Sequence, residues 1–270
     1  MKIPRNFWMA VVAPIAIFLG STPGLAQTRA QQIALDAGDG SRITGFVMQD
    51  ASAAKDAPLA ILMHGMTGSS LQWLVRDNST GGDEISADLV ARGYRVVGLD
   101  ARAHGGRRDE MLPIERVEDL RAGKSEAYLA MINDTLNDYD VLLEDVKRRF
   151  GQPRQILVMG YSMGAQMSVL FAAKHEEVSH IITLVPPAVK DAPSVAPIKH
   201  AQKVKADWLL LTASQDQYSS KADNDALANA AGGNVDRIEF DSPHMLPRDY
   251  VHSVISWVAN IKPDADVPVK

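Results

Sequence analysis

The chain has 270 residues, 46% of them hydrophobic and 23% charged, with a formal net charge of -5. This suffices for one domain with a substantial core, and the mild acidity excludes the basic footprint of a nucleic-acid binder. Cysteine is absent, which excludes disulfides, a thiolate nucleophile and a cysteine-linked lipid anchor.

Lys2 and Arg5 precede an apolar stretch from Phe7 to Leu19, and Ser21-Thr22-Pro23-Gly24-Leu25-Ala26 then offers small residues where a signal peptidase reads. The pattern predicts a signal peptide over residues 1–26, cut after Ala26, and one domain over 27–270. The apolar stretch, interrupted by Pro14, is shorter than the ~20 residues that span a bilayer. No stable membrane anchor is therefore expected after cleavage, and the expected location is the periplasm or the medium. An exported chain without disulfides must rely on its core.

Gln32–Leu35 and Arg42–Met48 read as two strands around the turn Ala37-Gly38-Asp39-Gly40, an antiparallel hairpin at a sheet edge. Pro58–Met63 is a continuous apolar run, as a strand covered on both faces requires. It runs into His64-Gly65-Met66-Thr67-Gly68 and a loop that places Trp73 above the sheet. A helix over about Asp83–Arg92 ends at Gly93, and Tyr94–Asp100 is the next strand, with Ala101–Arg108 as its exit loop.

From Ile114 to Phe150 the pattern is helical. A short helix covers Ile114–Leu120, and a long one starts near Ser125 with Tyr128, Leu129, Ile132, Leu136, Tyr139, Leu142, Leu143 and Val146 as its buried stripe. Asp134, Asp138, Asp140, Glu144 and Asp145 are expected on its solvated face. Gln155–Met159 is a strand and Ala165–Ala173 a helix, joined by Gly160-Tyr161-Ser162-Met163-Gly164. Further on come the strand His180–Val185, stopped by Pro186-Pro187, the strand Asp207–Thr212, a helix over Ser220–Ala231, the strand Asp236–Phe240 and a helix over Arg248–Ile261, with Pro263–Lys270 as a frayed tail. Residues 188–205 leave no room for an inserted lid domain, so the site is expected to be open.

A Gly-x-Ser-x-Gly turn between a buried strand and a helix is the context of a nucleophile elbow, which presents the serine hydroxyl at the strand's end. A serine hydroxyl needs a base, and the base a partner that fixes its tautomer. In an open α/β sheet such partners lie just after strands. Asp216 follows the strand ending at Thr212, and His244 follows the strand ending at Phe240. The order Ser162, Asp216, His244 is the one belonging to strand-turn-helix elbows.

The oxyanion donors are then expected from the backbone N–H groups of Met163 and Met66. His64 is expected to be structural, and His175, His180, His200 and His252 to be surface or packing residues. Arg102, between Asp100 and His104, is expected to brace a carboxylate. Trp73, Pro186, Tyr218, Met245 and Leu246, with Met66 and Met163, are the candidate pocket walls. No spacing matches a metal motif, so neither metal nor cofactor is expected.

These residues carry a resemblance. With His64–Gly68, Asp100–Gly105, Gly160–Gly164, Asp216 and His244, the chain resembles the α/β-hydrolase superfamily over residues 30 to 262. Its short lid segment is similar to the dienelactone hydrolase and small carboxylesterase branches, and the Asp-x-Arg-x-His-Gly stretch to monoacylglycerol-lipase-like members. Dienelactone hydrolases use a cysteine that this chain lacks, and many relatives have glycine where Ala213 stands. The resemblance implies a single-domain α/β fold with a mostly parallel sheet, an antiparallel N-terminal hairpin, helices on both faces and a minimal lid. It also implies a serine esterase working through an acyl-enzyme on small or medium esters. The same triad supports acyl transfer, perhydrolysis or peptide cleavage, and a non-catalytic binding role is the remaining alternative.

Overall fold

The computed structural model describes residues 27–76 and 80–262; the expected signal peptide, its cleavage point and the expected frayed tail lie outside the described residues. Among the described residues eight strands form one sheet: β1 (Thr28–Asp36), β2 (Arg42–Asp50), β3 (Leu59–Met63), β4 (Arg95–Leu99), β5 (Ile156–Tyr161), β6 (His180–Leu184), β7 (Asp207–Ala213) and β8 (Val235–Phe240). Their spatial order is β1-β2-β4-β3-β5-β6-β7-β8. β1 pairs with β2, and β2 with β4, antiparallel; every later pairing is parallel. The hairpin strands run longer than the hydrophobic pattern predicts because β1, at the sheet edge, is mostly exposed and carries polar residues.

Among the described residues six α-helices flank the sheet: α1 (Gly82–Ala91), α2 (Pro113–Arg121), α3 (Glu126–Phe150), α4 (Met163–Lys174), α5 (Lys221–Ala230) and α6 (Asp249–Ala259). The two-residue period of the strands divides the core in two. Leu59, Ile61, Met63, Val97, Ile156, Val158 and Leu210 point to the face covered by α3, α4 and α5, while Ala60, Leu62, Val96, Leu157, Met159, Leu209 and Leu211 point to the face covered by α1 and α6. Each fully buried aliphatic side chain of this kind contributes about 1.5–3 kcal/mol relative to exposure.

Three expectations need correction. Trp73 does not stand above the sheet: it closes a 3-10 turn (Ser70–Trp73) and is fully buried, with Ile85, Leu89 and Tyr250 in the same cluster. Its large apolar ring is better satisfied beneath α1 than at a solvated mouth. Asp138 and Asp145 are likewise buried rather than solvated. Arg102 and Arg107 from the loop after β4 both reach Asp138, and Arg148 and Arg149 pair with Asp145. Guanidinium partners make burial of those carboxylates tolerable.

Candidate active site

The site lies where β3, β5, β7 and β8 release their carboxyl ends. Ser162 follows β5 with φ 53° and ψ −114°, a region that a residue with a side chain occupies only under strain. A Cβ on Gly160 would stand 2.1 Å from the carbonyl of Gly164, and one on Gly164 2.1 Å from the Met63 carbonyl oxygen. Only glycine fits on either side of this turn, which is why the elbow has its sequence.

Asp216 and His244 come from neighbouring loops after β7 and β8. Those loops are stitched together: Ser214 N–H donates to Phe240 O, Gln215 N–H to Ser242 O, and Ser214 Oγ and Gln215 Nε2 both donate to Asp241. His244 Nε2 lies 2.8 Å from Ser162 Oγ, and its Nδ1 2.8 Å from Asp216 Oδ2. The other oxygen of Asp216 accepts the Tyr218 N–H at 2.8 Å. The Asp216 side chain is 1% exposed and that of His244 17%, so the carboxylate is sealed while the imidazole faces the cavity. Ala213, at the end of β7, leaves the reach of Asp216 intact.

Tyr161, the residue before Ser162, supports the histidine loop. Its hydroxyl donates to His244 O at 3.1 Å and accepts the Leu246 N–H at 3.0 Å. Burial pushes the Tyr161 phenol above its ordinary pKa, keeping it a neutral donor. The sequence carried no signal for this role.

The loop after β3 passes beside Ser162, so that a Cβ on Gly65 would stand 3.8 Å from Ser162 Cβ. Among the described residues the Met66 N–H has no backbone acceptor, and Met163, as the first residue of α4, has an N–H without an intrahelical partner. Both residues line the cavity at Ser162. His64 is fully buried behind this loop. Its Nε2 accepts the Ala101 N–H at 2.9 Å, which places the proton on Nδ1, and Nδ1 donates to Gly65 O at 2.8 Å. Burial, then the neighbouring His104, lowers its pKa to about 4, so the ring is neutral near pH 7.

Asp100 anchors the same region. Ser70 donates to Oδ1 through its N–H and hydroxyl, and Thr44 Oγ1 and the Gly106 N–H donate to Oδ2, all within 2.9 Å. Burial pushes the carboxyl up, but these hydrogen bonds outweigh it and hold the pKa below the ordinary value. Both Nε and Nη2 of Arg102 bond Asp138, at 2.7 and 2.8 Å, and this pairing raises the pKa of its guanidinium. Arg102 is thus the brace expected, with His104 beside it between the Arg102 and Met66 carbonyls.

The cavity above Ser162 has a volume of about 770 Å³, within the range of small-molecule sites. Tyr218 and Met245 line it, as do Met66 and Met163. Pro186 does not: it faces a neighbouring cavity of about 270 Å³, because the backbone turns sharply at Val185, whose φ is 48°. Leu246 is also displaced from its expected place, since its side chain is 3% exposed in the core beneath the loop. Among the wall residues not anticipated are Ile114, Val117 and Leu120 of α2 and Tyr128 of α3. For the α2 residues the signal was present in their three-residue spacing, but spacing does not say what an apolar face covers. Among the described residues no cluster of three or more His, Asp or Glu side chains could hold a metal ion.

The sheet order and the serine elbow define an α/β hydrolase, the class that the sequence resemblance implied. Residues 59–231 match the family described as serine aminopeptidase, S33, and the chain belongs to that hydrolase family. No curated protein matches it. Among solved structures, it is similar to a cold-adapted esterase from an Arctic intertidal metagenomic library, with TM-score 0.68 and 16% identity over 90% of this chain and 97% of the other. Acetyl xylan esterase 1 from Thermoanaerobacterium sp. gives TM-score 0.68 at 17% identity, over 91% and 87% of the two chains. A putative dienelactone hydrolase from Klebsiella pneumoniae gives TM-score 0.66 at 14% identity, over 87% and 99%. Likeness at these identities concerns the fold.

Proposed function

We propose that the chain hydrolyses carboxylic esters of small to medium size through an acyl-enzyme on Ser162. The observation that carries this reading is the pair of 2.8 Å hydrogen bonds linking Ser162 Oγ to His244 and His244 to Asp216, at the floor of an open cavity. Ser162 Oγ attacks the ester carbonyl while its proton passes to His244 Nε2. Asp216 holds the proton on Nδ1 and stabilises the imidazolium. The carbonyl oxygen becomes an oxyanion facing the N–H groups of Met66 and Met163, each donor being worth on the order of 10²–10³ in rate. Collapse expels the alcohol, which takes the proton from His244. Water, deprotonated by the same histidine, then releases the acid and restores the serine.

The family description names an aminopeptidase, and that second reading has one feature in its favour. A peptidase of this kind must hold a free ammonium group. Of the cavity carboxylates, Asp216 is committed to His244 and Asp223 to Ser220 and Lys190, whereas Asp191 is exposed at the rim without an ion pair among the described residues.

The test is hydrolysis of chromogenic acyl esters and of aminoacyl anilides by the wild type and by Ser162→Ala. Ester hydrolysis that falls by about 10³ or more in the variant supports the reading. Equal rates in both proteins would remove Ser162 from the mechanism, and cleavage of the anilides alone, abolished by Asp191→Ala, would favour the peptidase. We also propose that the protein is exported by a cleaved signal peptide, which predicts mature protein beginning at Gln27.

A further inference from the structure

The cavity is asymmetric about Ser162. On the side of His244 its wall includes Asp216, Gln217, Tyr218 and Met245, and the Tyr218 ring packs edge-on against His244 at 4.6 Å. On the other side of β5 in the sheet order, where β3 and β4 lie, the apolar part of the wall includes Met66, Met163, Ile114, Val117, Leu120 and Tyr128. All of these except Ile114 belong to, or pack against, one continuous hydrophobic cluster.

The chemistry divides an ester between the two sides. The leaving oxygen must face His244, which protonates it, so the alcohol part lies towards Gln217 and Tyr218. The carbonyl oxygen must face the Met66 and Met163 N–H groups. The remaining substituent of the carbonyl carbon, the acyl chain, then points to the side walled by α2.

That helix turns an apolar row to the cavity as well as to the core. Ile114, Val117 and Leu120 recur at three-residue spacing and line the cavity, with Arg121 at the end of the row, whereas Glu115 and Glu118 face solvent. Leu120 is buried, but Ile114 is 46% exposed, an apolar side chain held over a cavity with nothing of the protein filling it. Tyr128 closes the floor. Its hydroxyl donates to Gln166 Oε1 at 2.7 Å, and Gln166 Nε2 donates to Val195 O at 2.9 Å, so the ring is fixed and presents no unpaired polar group to an alkyl chain.

We propose that Ile114, Val117 and Leu120 of α2, with Tyr128 of α3 as the floor, form the binding site for the acyl chain of the substrate, an unbranched alkyl chain of medium length. The proposal rests on the esterase reading for its orientation. It assigns acyl selectivity to the insertion between β4 and β5, although Ala188, Val189, Lys190 and Asp191 also line the cavity.

Two measurements separate the failure of this site from the failure of the esterase reading. The first is the ratio of kcat/KM for octanoyl over acetyl esters in the wild type, Val117→Trp, Ile114→Asp and the outward-facing control Glu118→Ala. The second needs no catalysis: calorimetric binding of octanoate and of acetate to Ser162→Ala and to Ser162→Ala carrying Val117→Trp. The ratio is expected to exceed one in the wild type, to fall about tenfold or more in Val117→Trp and Ile114→Asp, and to hold in Glu118→Ala. Octanoate is expected to bind Ser162→Ala more tightly than acetate and to lose that advantage with Val117→Trp. Val117→Trp is checked for native circular dichroism, and Ile114→Asp, at an exposed position, stands in if it misfolds. Octanoate binding that depends on Val117, in a protein that hydrolyses no ester, would keep the acyl site and sink the esterase reading. Ester hydrolysis with an unchanged chain-length ratio in both α2 variants, or octanoate binding indifferent to Val117, would overturn the site.

Discussion

The Ala101 N–H donates into Nε2 of His64 at 2.9 Å, and His64 Nδ1 in turn donates to Gly65 O at 2.8 Å. Because the Gly65 carbonyl and the Met66 N–H share one peptide plane, the imidazole fixes the direction of that N–H without touching the cavity. The neutral tautomer is required on both sides, since a protonated Nε2 would face the Ala101 N–H.

This has a pH consequence. His64 has its pKa lowered from 6.5 to about 4, first by burial and then by His104, so the unfolded chain binds the proton more readily than the native one. The stability it confers is complete above pH 6.5 and is lost as pH falls towards 4, by roughly 3 kcal/mol in all. Thermal unfolding of the wild type should show that decline between pH 6.5 and 4. His64→Gln, less stable at pH 7, should show a shallower decline; an equal slope would remove His64 as its source.

Asp138 holds Arg102 and Arg107 at once, and its side chain is 1% exposed. Asp138→Asn leaves buried Arg107 without a carboxylate, while Arg102 keeps Asp39, which costs about 3–5 kcal/mol in a buried setting. Chemical denaturation should show an unfolding free energy lower by that amount, read from a lower midpoint with an unchanged slope. A shift below about 1 kcal/mol would mean that the pair behaves as a surface bridge.

Ser162 occupies a backbone conformation that glycine adopts freely and alanine does not. Ser162→Gly and Ser162→Ala both remove the hydroxyl, so their difference isolates the backbone strain. The glycine variant should be more stable than the alanine variant by about 1 kcal/mol or more, read as a higher Tm. Equal melting temperatures would mean that the turn stores no strain at this residue.

Tyr161→Phe removes the hydroxyl that bridges His244 O and Leu246 N–H. The buried Leu246 N–H then lacks its acceptor, at a cost of about 1–3 kcal/mol. Because the loop carries His244, kcat should fall more than KM rises in ester hydrolysis. A loss of stability with kcat intact would make Tyr161 a packing residue only.

The sequence by itself determined the alternation of strands and helices and the elbow at Ser162, because both are local. Buried parallel strands must read as apolar runs, and a turn that places Gly160 against Gly164 accepts no side chain. It also ordered Ser162, Asp216 and His244 at strand ends, although only the folded sheet brings β5, β7 and β8 together and supplies the 2.8 Å contacts. Wall residues were the least legible. An apolar side chain after a strand has the same pattern whether it turns inward or lines a cavity, so Trp73, Pro186 and Leu246 read like Tyr218 and Met245. Asp138 looked like a solvated carboxylate because its arginine partners come from a different strand's exit loop. The α2 face over Ser162 was visible as periodicity, but periodicity records that a face is apolar, and only the tertiary structure decides what that face meets.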